Sequence, residues 1–584
     1  MEKQELKKLI EVAAGRLKAD LVIKNCKVVN VFSNEILAGN LAISEGTIIG
    51  MGDYEGTEEI DALGHYILPG LIDSHVHIES SMGSPLQFAR AVLPRGTTTV
   101  IADCHEIANV KGLAGIEYML KASENIPLDV YMMLPSCVPA TPFETSGASL
   151  EAKDLEQLID HERVLGLGEL MNYEAVVVGD EQIVDKIALT QSKDKLMDGH
   201  GPIIKEKHLN AYSLVGVKTD HECVNTQEAM ERLRNGMYVA VREGSAAKNL
   251  LDLMGAVSPV TERRFTFCTD DRHPRDILTE GHIDNNIRLA IQSGMDVFSA
   301  IRMATLNTAE CYGLKNLGAL APGYRADFIW VDNLQDFNVI KTFKNGCEIK
   351  PGWEKEIEED TTLLASVTNS INIKALERED LKIHLTAEEA HIIKINPHSL
   401  VTEHVIKRVS RDTEGYFIYD ESVDILPLYV IERHHGTGNI GKGLIQGYGL
   451  KNGAIASTIA HDSHNLIVVG DSIENVKIAI DKIIEMGGGL AVVIDGEVRE
   501  ALPLDIGGIM SSDDLEEVSQ KHDALNALAM EVLKVSPEVN AFMTLAFMAL
   551  PVIPEIKITD KGLFDVMTFQ PIELSNDSKF EKNL

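Results

Sequence analysis

Two histidines separated by one residue, His75 and His77, close an apolar strand-like run, LIDSHVH (71–77). Residues i and i+2 of a strand point to the same face, so both imidazoles would project to one side. Taken alone, such a pair reads equally well as two incidental histidines. It is not alone, because Glu169, His200, His221 and Asp270 each end another run of strand-like composition. Six nitrogen or oxygen ligands converging from different strand ends would suit zinc, manganese or iron, whereas an all-thiolate or all-oxygen set would point elsewhere. A cation held in this way lowers the pKa of its water, so that hydroxide is available near neutral pH.

The elements that must position these residues recur with a regular rhythm. Between Leu71 and Leu317 lie eight apolar runs: LIDSHVH, TTTVIADCH, LDVYMMLPS, VLGLGEL, LMDGHG, VGVKTDHE, MYVAVREG and FTFCTDD. Helix-like stretches such as PLQFARAVLP, NTQEAMERLRNG and DVFSAIRMATLNTAE separate most of them. Strand and helix alternating over about 250 residues predict a (β/α)8 barrel of the TIM type, whose active site lies at the C-terminal strand ends. Helical periodicity is weakest around residues 174–213, in the fourth and fifth units.

Residues 1–66 read as an N-terminal helix followed by short strands with Gly-bearing turns, a pattern that predicts antiparallel pairing. A similar run returns near 319–333. The expected organisation is therefore a small β domain built from 1–66 and 318–352, flanking a barrel over 67–317. After the charged stretch at 353–362, residues 353–584 predict a third, α/β domain. The chain is 584 residues long with a net charge of −35. Such a charge repels phosphate backbones and anionic lipid surfaces, so neither nucleic acid nor a membrane is expected as a partner. No run approaches the roughly 20 apolar residues of a membrane span, and the stretch 541–553 is interrupted by Pro551. The first twenty residues lack the apolar core of a signal peptide. Seven cysteines without a CxxC pair indicate neither a disulfide framework nor a zinc knuckle. A soluble cytoplasmic protein is expected.

PGLIDSHVHIESS, RGTTTVIADCHEIANV and FCTDDRHP closely resemble the adenine deaminases of the amidohydrolase superfamily, and the resemblance extends to AHDSHNLIVVGD (460–471). HxH identifies only the superfamily; HIESS, HEIAN and TDDR are more specific to this branch. The resemblance implies that His75, His77 and Asp270 hold a buried metal and that His200 and His221 hold a second. Glu169 would bridge the two, where many relatives carry a carboxylated lysine, which argues against a hydantoinase-type activity. Two divalent ions per subunit are implied, with manganese or iron favoured and zinc the alternative, in a homo-oligomer, a dimer in the simplest case. The implied reaction is attack on adenine C6, giving hypoxanthine and ammonia in purine salvage. Asp270 is then the best placed group to take the water's proton and deliver it onward. The HxE…PCxxC signature of other base deaminases is absent.

Glu79, His105, Glu106 and Asp271 are the candidates for reading the purine, each also readable as an ordinary polar loop residue. Arg242 and Glu243, at the seventh strand end, read better as a structural ion pair. Gly436, Gly438 and Gly441 match GxGxxG, but the glycines at 443, 447 and 449 leave no helix for a dinucleotide. Gly443 also stands where a P-loop needs Ser or Thr. His434, His435, His461 and His464 admit a second metal site, an extension of the active-site mouth, or turn chemistry; a structural or pocket-lining role is favoured. Ser463 lacks a nucleophile elbow. The rival functions are another cyclic amide or amidine hydrolase on the same barrel, and a catalytically inactive scaffold.

Overall fold

The computed structural model describes residues 2–358 and 360–576. Met1, Glu359 and the last eight residues of the expected third domain lie outside the described residues.

All eight expected barrel strands form. Five lie side by side in parallel: Leu71–Val76, Thr97–Asp103, Asp129–Leu134, Val164–Leu170 and Leu196–Gly199. Thr219–Asp220, Tyr238–Arg242 and Phe265–Cys268 form a second parallel set. Backbone bonds join the two sets at both edges. Lys218 N–H donates to Met197 O at 2.8 Å, while Asp270 N–H donates to His75 O at 3.0 Å and His77 N–H to Asp270 O at 3.2 Å. Near-continuous apolar runs are what a strand needs when helices cover its outer face and side chains fill the barrel. Asp73 pins the first strand to the eighth: it accepts from Thr269 Oγ1 at 2.6 Å and from the His75 N–H at 3.1 Å.

Helices also fill the weakly periodic stretch, as Tyr173–Val178, Glu181–Ser192 and Glu206–Leu214. Gly179, at φ +73°, ends the first of these, and the Asp180 side chain caps the second by accepting from Gln182 and Ile183 N–H. Two short helices with different faces blur a single helical period.

The small sheet has eight strands. Tyr66–Pro69 pairs antiparallel with Phe328–Val331, joining the segments before and after the barrel. Tyr66–Pro69 belongs to this sheet, so the first barrel strand begins at Leu71. Pairing is not wholly antiparallel as expected: Ala19–Asn30 runs parallel to both Gly56–Asp61 and Tyr66–Pro69. After Thr47–Met51 the chain crosses to the far side of Ala19–Asn30 instead of turning back in a hairpin.

The C-terminal region is an eight-stranded sheet with helices on both faces. Alternate residues of Ile425–Ile431 serve the two sides. Tyr429 packs with Val476, Ile480 and Ile483 of the helix Ile473–Met486, while Leu428 and Val430 pack with Val518 and Leu525 of Leu515–Glu531. The GxGxxG stretch leads into the strand Ile440–Gln446, so the expectation that no dinucleotide helix follows is met.

Barrel loop 141–147 locks the C-terminal domain in place. Ser463 Oγ donates to Glu144 Oε2 at 2.7 Å, Asn465 Nδ2 to Thr145 O at 2.7 Å, and His435 Nε2 to Ser146 O at 2.9 Å. Among the described residues, no helix is long and apolar enough to cross a membrane.

Candidate active site

The six expected ligands meet at one mouth of the barrel. His75 Nε2 and His77 Nε2 are 3.3 Å apart, and Glu169 Oε1 lies 2.8 Å from both. Asp270 Oδ1 is 3.5 and 3.2 Å from the same two nitrogens. On the other side of Glu169, Oε2 lies 2.8 Å from His200 Nδ1 and 3.9 Å from His221 Nε2.

Three observations show that this donor set fits a cation. Glu169 Oε1 and His200 Nδ1 are buried without a hydrogen-bond partner, despite these short distances. The first lies among His75, His77 and Asp270, and the second on the opposite side of the carboxylate, beside its other oxygen. The tautomer of His77 is also fixed: Nδ1 faces the Asp103 carbonyl at 3.1 Å, which can only accept, so Nε2 is left as a bare lone pair. Finally, burial alone would keep the imidazoles neutral, yet contact with Asp270 and Glu169 pulls His75 up to about 10. The carboxylates demand positive charge here, which a divalent ion would supply.

Local sequence explains the positioning. Glu169 N–H donates to Asp103 Oδ2 at 2.9 Å, and the preceding residue must be glycine, since a Cβ at Gly168 would stand 2.0 Å from that oxygen. Asp270 adopts φ +57°, a left-handed conformation rare outside glycine, at the point where the eighth strand bonds back to the first. Tyr212 OH accepts the His200 N–H at 2.9 Å and donates to Leu170 O at 2.8 Å, holding the loop after the fifth strand.

Two residues at the site carried no sequence signal strong enough to single them out for it. Arg242 does not pair with Glu243. Its guanidinium bonds Glu222 and lies 2.9 Å from Asp270 Oδ2, because the seventh strand is flanked by the sixth and eighth. Glu222 Oε1 in turn lies 3.4 Å from His221 Nε2 and 3.7 Å from His200 Nδ1. Burial opposes ionisation of Glu222, but Arg242 and His200 hold its pKa far below the ordinary value. The adjacency of Glu222 to His221, an expected ligand, was the available clue.

A cleft adjoins the converging side chains and is lined by Glu79, Ser80, Glu106 and Asp271 from the barrel and by His461 and Phe547 from the C-terminal domain. Of the four candidates for substrate contact, three therefore line it. His105 does not. Its ring lies edge-on to His77, at 4.8 Å between centroids, and its Nδ1 faces Asp103 Oδ1 at 3.2 Å. Glu79 Oε2 is buried without a partner, and Asp271 Oδ1 accepts from Ser80 Oγ at 2.5 Å.

The amidohydrolase family profile matches residues 66–349, and that of the adenine deaminase C-terminal domain matches residues 399–570. An adenine deaminase of Clostridium acetobutylicum is 50% identical over 563 residues, covering 96% of this chain and 98% of the relative. The chain belongs to the adenine deaminase family. An adenine deaminase of Geobacillus kaustophilus is 49% identical, covering 97% of this chain and 98% of the relative. One of Bacillus pumilus is 44% identical, covering 99% of this chain and the whole of the relative. As a member of an amidohydrolase family, the chain is a metal-dependent hydrolytic enzyme, and its clustered His, Glu and Asp residues are candidate ligands of a divalent metal.

Proposed function

We propose that the protein hydrolyses adenine to hypoxanthine and ammonia, in purine salvage. The observation that carries the reading is the convergence of six side chains of metal-ligand type, with Glu169 Oε1 and His200 Nδ1 unpartnered, beside a cleft, in a chain of this family. His75, His77 and Asp270 would hold one divalent ion and His200 and His221 a second, with Glu169 shared between them. Manganese or iron is favoured and zinc is the alternative. A divalent ion bound there would make hydroxide available as the nucleophile at neutral pH.

The side chains do the rest. Water oxygen bonds to adenine C6, a ring nitrogen takes a proton, and the C6–N bond breaks as ammonia leaves. Asp270 Oδ1 takes the first water proton and passes it to the ring nitrogen, and the second, from the new C6 hydroxyl, passes to the amine, which leaves as NH3. Arg242, on Oδ2 at 2.9 Å, keeps the other oxygen turned to the ligands. Glu79, Glu106 and Asp271 meet the polar edges of the base, and His105 supports His77 from behind. A cytoplasmic homodimer is the expected setting. Ammonia release from adenine, guanine, cytosine and dihydropyrimidines, measured with metal content, tests the reading. Adenine should be the preferred substrate and adenosine a poor one; a higher kcat/KM for adenosine would refute the free-base assignment.

A further inference from the structure

Loop 460–465 of the C-terminal domain carries two imidazoles that the reaction above does not use, His461 lining the cleft and His464 buried behind it. Glu106, His461 and His464 have ligand atoms within 4.8 Å of one another, so a third metal is the first candidate. The tautomer of His464 excludes it. Its Nδ1 accepts the Ala460 N–H at 3.2 Å, and burial, aided by His461 and Arg433, holds the ring neutral. A neutral imidazole accepting at one nitrogen carries its proton on the other. His464 Nε2 is therefore an N–H and not a lone pair; it is buried, has no partner, and points toward Glu106 Oε2 at 3.8 Å. His461 Nδ1 lies 3.4 Å from the other oxygen, Glu106 Oε1, with its ring stacked on Phe547 at 4.4 Å. Two residues of the C-terminal domain thus flank both oxygens of one barrel carboxyl.

The loop is firmly held. Arg433, fully buried, bonds the His464 carbonyl and donates to Gly507 O at 2.9 Å and Ser370 Oγ at 2.9 Å, while Ser463 is tied to Glu144. A polar track leads outward from the metal ligands to this point. Asp271 follows Asp270, and Ser80 Oγ spans from Asp271 at 2.5 Å to Glu106 Oε1 at 3.5 Å. A purine with C6 over the ligands presents its far edge, N3 beside N9–H, at the outer end of that track. Burial, with Asp271 and Glu79 nearby, pushes the Glu106 pKa well up, so its carboxyl has one oxygen to accept N9–H and a proton to offer N3.

We propose that Glu106, oriented by His461 and His464, reads the N3/N9–H edge, so that selection of a free base over a 9-substituted purine is set from the C-terminal domain. The proposal rests on the deamination of adenine assigned above. The test is steady-state kinetics of metal-loaded full-length wild type, Glu106→Leu, Glu106→Gln and His464→Phe, with adenine and 9-methyladenine. A site built to bond a polar edge rejects a ligand lacking it strongly. Wild type should favour adenine by about 100-fold or more in kcat/KM. Glu106→Leu and His464→Phe should reduce that preference at least tenfold (about 1.4 kcal/mol), mainly by raising KM for adenine. Glu106→Gln keeps one donor and one acceptor and should retain most of it.

An unchanged substrate ratio in the Leu and Phe variants, in enzyme that still turns over adenine, would overturn the proposal. So would wild type that accepts both substrates equally, or Gln behaving as Leu. If His464→Phe melts below assay temperature, the Glu106 pair decides alone. Absence of adenine turnover by wild type would instead overturn the underlying reaction.

Discussion

Replacing Glu169 by Gln keeps the size and one carbonyl oxygen but removes the charge between the two ligand groups. Second-metal occupancy should fall, and added Mn²⁺ should recover part of the activity. Asp270→Asn removes a ligand charge together with the group placed to carry the proton. General acid–base groups contribute about 10²–10⁴-fold to rate, so kcat should drop by at least that much and excess metal should not restore it. Parallel curves of kcat and bound metal against added Mn²⁺ separate the two roles. Near wild-type turnover of Asp270→Asn in excess Mn²⁺ would leave Asp270 a ligand only. The convergence of these six side chains was legible because each lies at the end of an apolar run, a local signal. Arg242 was not, since its partners Glu222 and Asp270 come from neighbouring strands and the adjacent Glu243 offered a nearer, wrong one.

At the scale of elements, the fourth strand has no room for a side chain at Gly168. A Cβ there would meet Asp103 Oδ2 at 2.0 Å and push Asp103 away from the Glu169 N–H. Gly168→Ala should cost about 1–3 kcal/mol of stability, as overpacking does, and lower metal affinity as well; unchanged Tm and metal content would refute this. The strand Ile556–Thr559 carries Lys557, fully buried, donating to Leu400 O at 2.9 Å and lowered by burial to about 7. Between about pH 7 and the ordinary lysine value near 10.4, the unfolded chain binds a proton that the folded chain does not. Stability contributed at this site therefore rises with pH over that window and is constant below it. Lys557→Met should be more stable than wild type by about 1–3 kcal/mol at pH 7, after the loss of one hydrogen bond. That advantage should shrink toward pH 10, as read by urea melts across the range; a pH-independent difference would contradict it. Strand positions in the barrel were legible from composition alone. The parallel pairing of Ala19–Asn30 was not, because a crossover and a hairpin leave the same turn residues in the sequence.

Across the whole molecule, the barrel and the bracketing β segments followed from the alternation of runs, but the place of the C-terminal domain did not. Its contact with loop 141–147 joins residues far apart in the chain, such as Glu144 with Ser463, 319 positions on, and no local pattern encodes such a pairing. His461 and His464 consequently stood as motifs without a location until the fold set them against Glu106. The account as a whole requires that the converging ligands hold metal and that this metal supports adenine turnover. The most direct measurement is metal content and ammonia release from adenine on one preparation, after chelation and again after stepwise return of Mn²⁺, Fe²⁺ or Zn²⁺. Activity should vanish with the metal and return with it, to an extent that differs among the three ions. Full adenine turnover in protein shown to be metal-free would contradict the account.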